Sequence, residues 1–232
     1  MKKIIIIGAG AMGSAFAVPC LENENKVTLV GTHLEDDLIN NIQLNNNFHP
    51  DLSIELPTKL KVEKYEKLKS ILEGGVDIIV AGVSSIGIEW FVKQIAKNYK
   101  KNLPIILLTK GLAIEDNELI TLSDKIKKLL KVHDHEDVNV SAIKGPCLAA
   151  GLANKMRTGT VIANPNIKET EKLKKIISTD YYSTEISDDL TGIELSGAIK
   201  NIYSMLIGAS EGLSNSKAPK EIQSKYYLNT SA

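Results

Sequence analysis

Three glycines spaced as Gly8-x-Gly10-x-x-Gly13 stand between an apolar β-branched run at residues 4–7 and a small-residue segment at 14–17 with helical character. In a strand-to-helix turn the first glycine takes the tight bend, the second lets an anion reach the main chain, and the third lets helix and strand close together. Free N–H groups and the dipole at the helix start attract that anion, so the spacing points to the pyrophosphate of a dinucleotide. Further along, Lys110 closes the apolar run Leu107-Leu108-Thr109, the loop Gly145-Pro146-Cys147-Leu148-Ala149 follows another, and Lys200 sits in a small-residue stretch at 192–201. Strand ends of an open parallel sheet face the ligand cleft, which puts Lys110 and the 145–149 loop over the glycine turn. A lysine held there beside Lys110 is desolvated and repelled, its amine displaced from roughly 10.4 toward neutrality. Such a group can exchange a proton with a hydroxyl while hydride moves to or from a nicotinamide. Lys200 is the candidate.

Positioning these groups requires alternating strands and helices. The pattern predicts strands at 3–7, 26–31, 59–62, 76–80, 105–109, 138–143, 160–163 and 182–186. Helices are expected at 11–21, 36–44, 86–99, 117–130 and 168–177, the fourth from the spacing of Leu119, Leu122, Ile126, Leu129 and Leu130. The fold class is α/β, a doubly wound Rossmann-type parallel sheet at residues 1–188, followed by the start of a helical second domain at 189–232. After Asp189 strand signals cease, and Gly192, Ser196, Gly197 and Ala198 interrupt an otherwise apolar helix. Glycine costs a helix about 1 kcal/mol, so this helix is expected to pack closely on another segment.

With 28 basic and 28 acidic residues the chain has no net field for nucleic acid or an anionic membrane. A small anionic substrate needs only a few local cations. Apolar runs are strand-sized, and Gly8 interrupts the first one too early for a secretory signal, so a cytoplasmic location is expected. Cys20 and Cys147 make neither a disulfide framework nor a metal site. His133 and His135 read as a solvated loop, and Gly208-Ala209-Ser210-Glu211-Gly212 trails a helix instead of forming a nucleophile elbow.

Taken together, Gly8 to Ala15, Thr109 to Leu112, Gly145 to Ala149 and Gly192 to Asn201 resemble the G-A-G-x-x-G-[ST]-A, T-K-G-L, G-P-S-F-A and G-x-E-L-x-G-A-[LK]-K-N motifs of the soluble NAD(P)-dependent glycerol-3-phosphate dehydrogenases. The resemblance implies interconversion of sn-glycerol 3-phosphate and dihydroxyacetone phosphate with NAD or NADP. Lys200 is implied as proton acceptor and substrate contact, and Lys110 as a contact to both cofactor and substrate. Gly145 and Cys147 are implied to line the substrate site, and Ala11, Met12, Thr32 and Ala149 to touch the dinucleotide beside Gly8, Gly10 and Gly13. Cys147 replaces the usual Ser or Thr, exchanging a hydroxyl donor for a weaker thiol. Val83-Ser84-Ser85-Ile86 lacks the proline of the family's V-P-[SH]-x segment. The family's C-terminal Arg-Asn pair for the substrate phosphate lies past Ala232, so a truncated copy is expected; Arg157, the single arginine, is outside that motif. Partners are a small-molecule substrate and no nucleic acid or membrane, with a homodimer left open. Other two-domain hydroxyacid or ketopantoate-type dehydrogenases, and an inactive dinucleotide-binding fragment, are the alternatives. At the end of the second strand, an acid would bind ribose hydroxyls and repel a 2′-phosphate. Val30 is followed there by Gly31-Thr32-His33, so NADP is expected to be accepted alongside NAD.

Overall fold

The computed structural model describes residues 1–214, the side chains of Asn201 and Ser214 apart, so residues 215–232 of the expected second domain lie outside it. Strands β1 (Lys3–Ile7) and β2 (Lys26–Val30) flank helix α1 (Ala11–Glu22). Helix α2 (Asp36–Leu44) leads to a small hairpin, β3 (Phe48–His49) and β4 (Ile54–Glu55), and then to β5 (Lys61–Glu63) and α3 (Leu68–Glu73). Strand β6 (Ile78–Ala81), helix α4 (Ile88–Ile95) and strand β7 (Ile105–Leu107) follow. A second hairpin, β8 (Leu112–Glu115) and β9 (Glu118–Thr121), precedes α5 (Leu122–Lys131). Then come β10 (Val140–Lys144), α6 (Ala149–Ala153), β11 (Thr158–Ala163), α7 (Ile167–Ile177), β12 (Tyr182–Ser187) and α8 (Leu190–Ser214).

Eight strands form one sheet in the order β12-β11-β10-β7-β6-β1-β2-β5. The chain builds outward from β1 to β5 and then resumes on the other side of β1 with β6, so the order reverses between β1 and β6. That switch point opens a crevice at the carboxyl ends of the two strands. Burial explains why β1 is apolar from Ile4 to Ile7. Ile4 and Ile6 pack on one face with Phe16 of α1, Ile39 of α2 and Leu173 of α7. Ile5 and Ile7 pack on the other with Phe91 and Ile95 of α4 and Ile126 of α5. None of the helices in the described residues is long and apolar enough to cross a membrane.

Two expectations need correction. The sheet is parallel except that β11 runs antiparallel to β10. The connection between them carries only the five-residue α6, which lies against α1 instead of crossing the sheet; a parallel return needs a longer crossover. The helix expected at 117–130 begins only at Leu122. Asp116 and Asn117, at φ +50° and +63°, make the two-residue turn between β8 and β9, and Leu119 is exposed on that hairpin. Thr121 then caps α5, its hydroxyl accepting the Asp124 N–H at 3.1 Å.

The tightest backbone approach is at the glycine turn. Gly8 has φ +108°, and a Cβ there would stand 2.7 Å from the Gly82 carbonyl. A Cβ on Gly13 would stand 2.2 Å from the Gly8 oxygen, so α1 can seat on β1 only with glycine at that point. Gly13→Ala is therefore expected to lower the unfolding free energy by about 1–3 kcal/mol, the usual cost of overpacking a closed site. Gly208→Ala on α8, where a Cβ meets nothing within 4 Å, is expected to be neutral or to stabilise by up to about 1 kcal/mol. Urea unfolding of the two variants checks the contrast, and equal effects would contradict it.

Candidate functional site

Helix α1 starts at the mouth of the crevice with nothing capping it. Gly10 occupies the cap position without a side-chain hydrogen bond, and the first turn carries no acid. The N–H groups there are available to an anion. A cleft of about 430 Å³ runs from this turn along the ends of β6 and β7, lined by Gly10, Ala11, Met12, Gly82, Ser85 and Lys110 among others. A larger hollow of about 1020 Å³ opens at the other ends of the strands, among Met1, Lys3, Lys26 and Lys61. It contains none of the candidate groups, and ligands of open α/β sheets bind at the carboxyl ends, so the smaller cleft is the site.

Lys110 follows β7 and is placed by Thr109, whose hydroxyl donates to the Val83 carbonyl at 2.7 Å. Met12, Lys110, Gly145 and Cys147 meet around a hollow of about 20 Å³, so the loop after β10 does close over the turn. Lys200 comes beside Lys110 from α8. Burial, and then the adjacent Lys200 ammonium, push the Lys110 amine below the ordinary lysine range. The lowered amine at the cleft is thus that of Lys110. Burial pushes the Cys147 thiol up, and its Sγ lies 3.9 Å from the Leu148 carbonyl. Ala149 lines neither hollow; it opens α6 and packs against the core. Thr32 also lies outside both, at the end of β2, where its N–H donates to Glu35 Oε2 at 2.7 Å.

Glu35 corrects the reading of β2. The strand end itself carries no acid, but Glu35, just before α2, turns its carboxylate back to accept the Ala9 N–H at 3.1 Å as well. An acid therefore does stand beside the glycine turn, about 20 residues past it, as dinucleotide folds place it. Of the discounted signals, His135 bonds the Ala96 carbonyl at 2.7 Å through Nε2, and Ser210 is a buried residue within α8.

Residues 3–170 match the family model described as the NAD-dependent glycerol-3-phosphate dehydrogenase N-terminus. The NADP(+)-dependent glycerol-3-phosphate dehydrogenase of Archaeoglobus fulgidus is 32% identical over 229 residues, covering 99% of this chain and 66% of its own. The glycerol-3-phosphate dehydrogenase [NAD(P)+] of Mesoplasma florum is 33% identical over 205 residues, covering 86% of this chain and 58% of its own. The crystal structure of glycerol-3-phosphate dehydrogenase from Coxiella burnetii superposes with a TM-score of 0.78 at 25% identity, over 99% of this chain and 66% of that one. The chain thus spans less than two thirds of the length of these relatives.

Sequence reasoning also missed Lys144, the last residue of β10. Its Nζ is buried and donates to the Leu107 carbonyl at 3.1 Å and the Thr109 carbonyl at 2.6 Å. Its stem lies under α8, where a Cβ on Gly197 would be 3.0 Å away. Glu194 of α8, also buried, accepts the Ser123 N–H at the start of α5 at 3.1 Å and draws the Lys144 ammonium electrostatically. One lysine thereby ties the end of β7 to α8, the two elements carrying Lys110 and Lys200. A charged residue closing the apolar strand Ser141-Ala142-Ile143 was the available signal. Burial brings its amine down from 10.5 to about 8, against the pull of Glu194. The unfolded chain then holds more protons between those two values, so this group's contribution to stability rises with pH across that window. The gain is on the order of 3 kcal/mol, at about 1.4 kcal/mol per pH unit of displacement. Urea unfolding of the chain and of Lys144→Met between pH 8 and 10.5 is expected to show the difference widening in favour of the lysine, and a flat difference would contradict it.

Proposed function

Since the chain belongs to the NAD-dependent glycerol-3-phosphate dehydrogenase family by its match over residues 3–170, we propose that it interconverts sn-glycerol 3-phosphate and dihydroxyacetone phosphate, with NAD or NADP bound at the Gly8–Gly13 turn. The residues fit such a cofactor. The start of α1 is uncapped, and at Gly10, where a Cβ would meet only Glu35 Oε1 at 3.9 Å, the backbone is open to the pyrophosphate. Bound there, the nicotinamide supplies the hydride acceptor in one direction and the hydride donor in the other.

The observation that carries the reading is that Lys110, which lines the cleft, has Lys200 beside it. Lys200, half-buried on α8, takes the proton of the secondary alcohol in oxidation and returns it to the carbonyl oxygen in reduction. Lys110 holds the substrate against the turn, and its lowered amine reflects how closely the two cations share that space. Gly145 and Cys147 border the same hollow and limit the room beside the alcohol carbon. The family match favours this chemistry over the other two-domain hydroxyacid and ketopantoate-type dehydrogenases.

Oxidation of NADH or NADPH by dihydroxyacetone phosphate tests the reading. Lys200→Ala is expected to lower kcat by about 10²–10⁴, the span of general acid–base catalysis, while nucleotide binding by calorimetry stays within a few-fold. Lys110→Met is expected to raise KM by about tenfold or more, as loss of one charged contact does. Nucleotide binding without turnover in the unaltered chain would instead support the reading of a dinucleotide-binding protein without activity.

A further inference from the structure

Glu35 closes the glycine turn from the side. Its Oε2 joins the Ala9 N–H to the Thr32 N–H at 3.1 and 2.7 Å, bridging the first two glycines and the end of β2. The other oxygen, Oε1, faces Gly10, standing 3.9 Å from where a Cβ on that residue would be. One carboxylate oxygen is thus fixed by the protein, and the other is directed at the turn. A second observation concerns charge. Between Lys26 and Lys59 the chain has no lysine or arginine, while it carries Glu35, Asp36, Asp37, Asp51 and Glu55. The two histidines of that segment do not change the balance. His49 is buried with Nε2 on the Ala9 carbonyl at 2.9 Å, and His33 is exposed beside Tyr65 and Trp90. Arg157, the single arginine, stands between α6 and β11.

We propose that Glu35 sets the dinucleotide preference of this chain, accepting the hydroxyls of the adenosine ribose and turning away a 2′-phosphate, so that NAD(H) is bound in preference to NADP(H). This rests on nucleotide binding at the glycine turn. A ribose hydroxyl offers a donor to a carboxylate, forming a charge-assisted hydrogen bond. A 2′-phosphate offers only acceptors and brings negative charge against an acid fixed by two backbone donors. The segment has no arginine to neutralise it, the device by which such folds accommodate that phosphate.

Titration calorimetry of the 232-residue chain with NADH and with NADPH, at one ionic strength, tests this. NADH is expected to bind at least about tenfold more tightly, the change made by one charged contact. Glu35→Gln keeps an acceptor for Ala9 and Thr32 while removing the charge, and is expected to bring the two affinities within about threefold, chiefly by tightening NADPH. Glu35→Ser, which removes the carboxylate altogether, should shift the ratio in the same direction, with thermal melts confirming that each variant is folded. NADPH bound as tightly as NADH by the unaltered chain would overturn the proposal. So would a ratio unchanged in both variants, since a merely structural glutamate weakens both ligands alike. Binding of neither nucleotide would overturn the cofactor reading of the turn, and this proposal with it.

Discussion

The site depends first on a contact that no side chain makes. A Cβ on Gly13 would lie 2.2 Å from the Gly8 oxygen, and one on Gly8 would lie 2.7 Å from the Gly82 carbonyl. Three backbone segments, the end of β1, the start of α1 and the end of β6, therefore meet at the switch point of the sheet. The cap position itself is open, since a Cβ on Gly10 would meet only Glu35 Oε1 at 3.9 Å, and with glycine there no side chain caps the helix. The N–H groups at the start of α1 stay open to an anion because the residue at the cap has no side chain to accept from them. The apolar layers above and below β1 hold that arrangement rigid, since Ile4 and Ile6 serve one core and Ile5 and Ile7 the other.

A second constraint carries this order from the turn to the lysines. Lys110 and Lys200 are separated by 90 residues in sequence, and they meet because the buried Lys144 binds both of their supports. Its amine is bonded to the carbonyls of Leu107 and Thr109, and its stem and charge are matched by Gly197 and Glu194 of α8. Burying an ammonium is costly unless it is paired and hydrogen-bonded. Here two carbonyls and the field of one carboxylate offset part of that cost, and they belong to the segments that carry Lys110 and Lys200.

How far the sequence reveals this follows from the range of the interactions. The strands β1, β2 and β6 and the turn at Gly8 could be read directly, because β-branched runs and glycine spacing are local signals that burial reinforces. The motif lysines were legible as strand-end and helix residues, although their proximity depends on packing. Residues 117–121, the second half of the hairpin, carry a helical spacing through Leu119, whereas the left-handed pair Asp116 and Asn117 decides for a turn. The antiparallel β11 was illegible because its direction is set by where α6 docks on α1, a tertiary choice. Glu35 was illegible at the strand end, where Val30 is followed by Gly31-Thr32-His33, because a side chain two residues further on, just before α2, reaches back across the turn.

These placements also explain how a chain with no net charge can present a polarised cleft. The β2 end carries Glu35 with Asp36 and Asp37 beside it, while the β7 and α8 end gathers Lys110, Lys144 and Lys200. Close groups in a cleft with low-dielectric walls act on a ligand through their local field, which net charge does not report. Under the proposed function, an anionic three-carbon substrate would be drawn to the lysine end, and the acid would meet a ribose of the dinucleotide. The glycine turn between them, with its open N–H groups, suits an anion such as a pyrophosphate. Both halves of a dinucleotide carry a ribose diol, so the acid alone does not orient one; the cations gathered at the β7 and α8 end are what make the two ends of the cleft unlike.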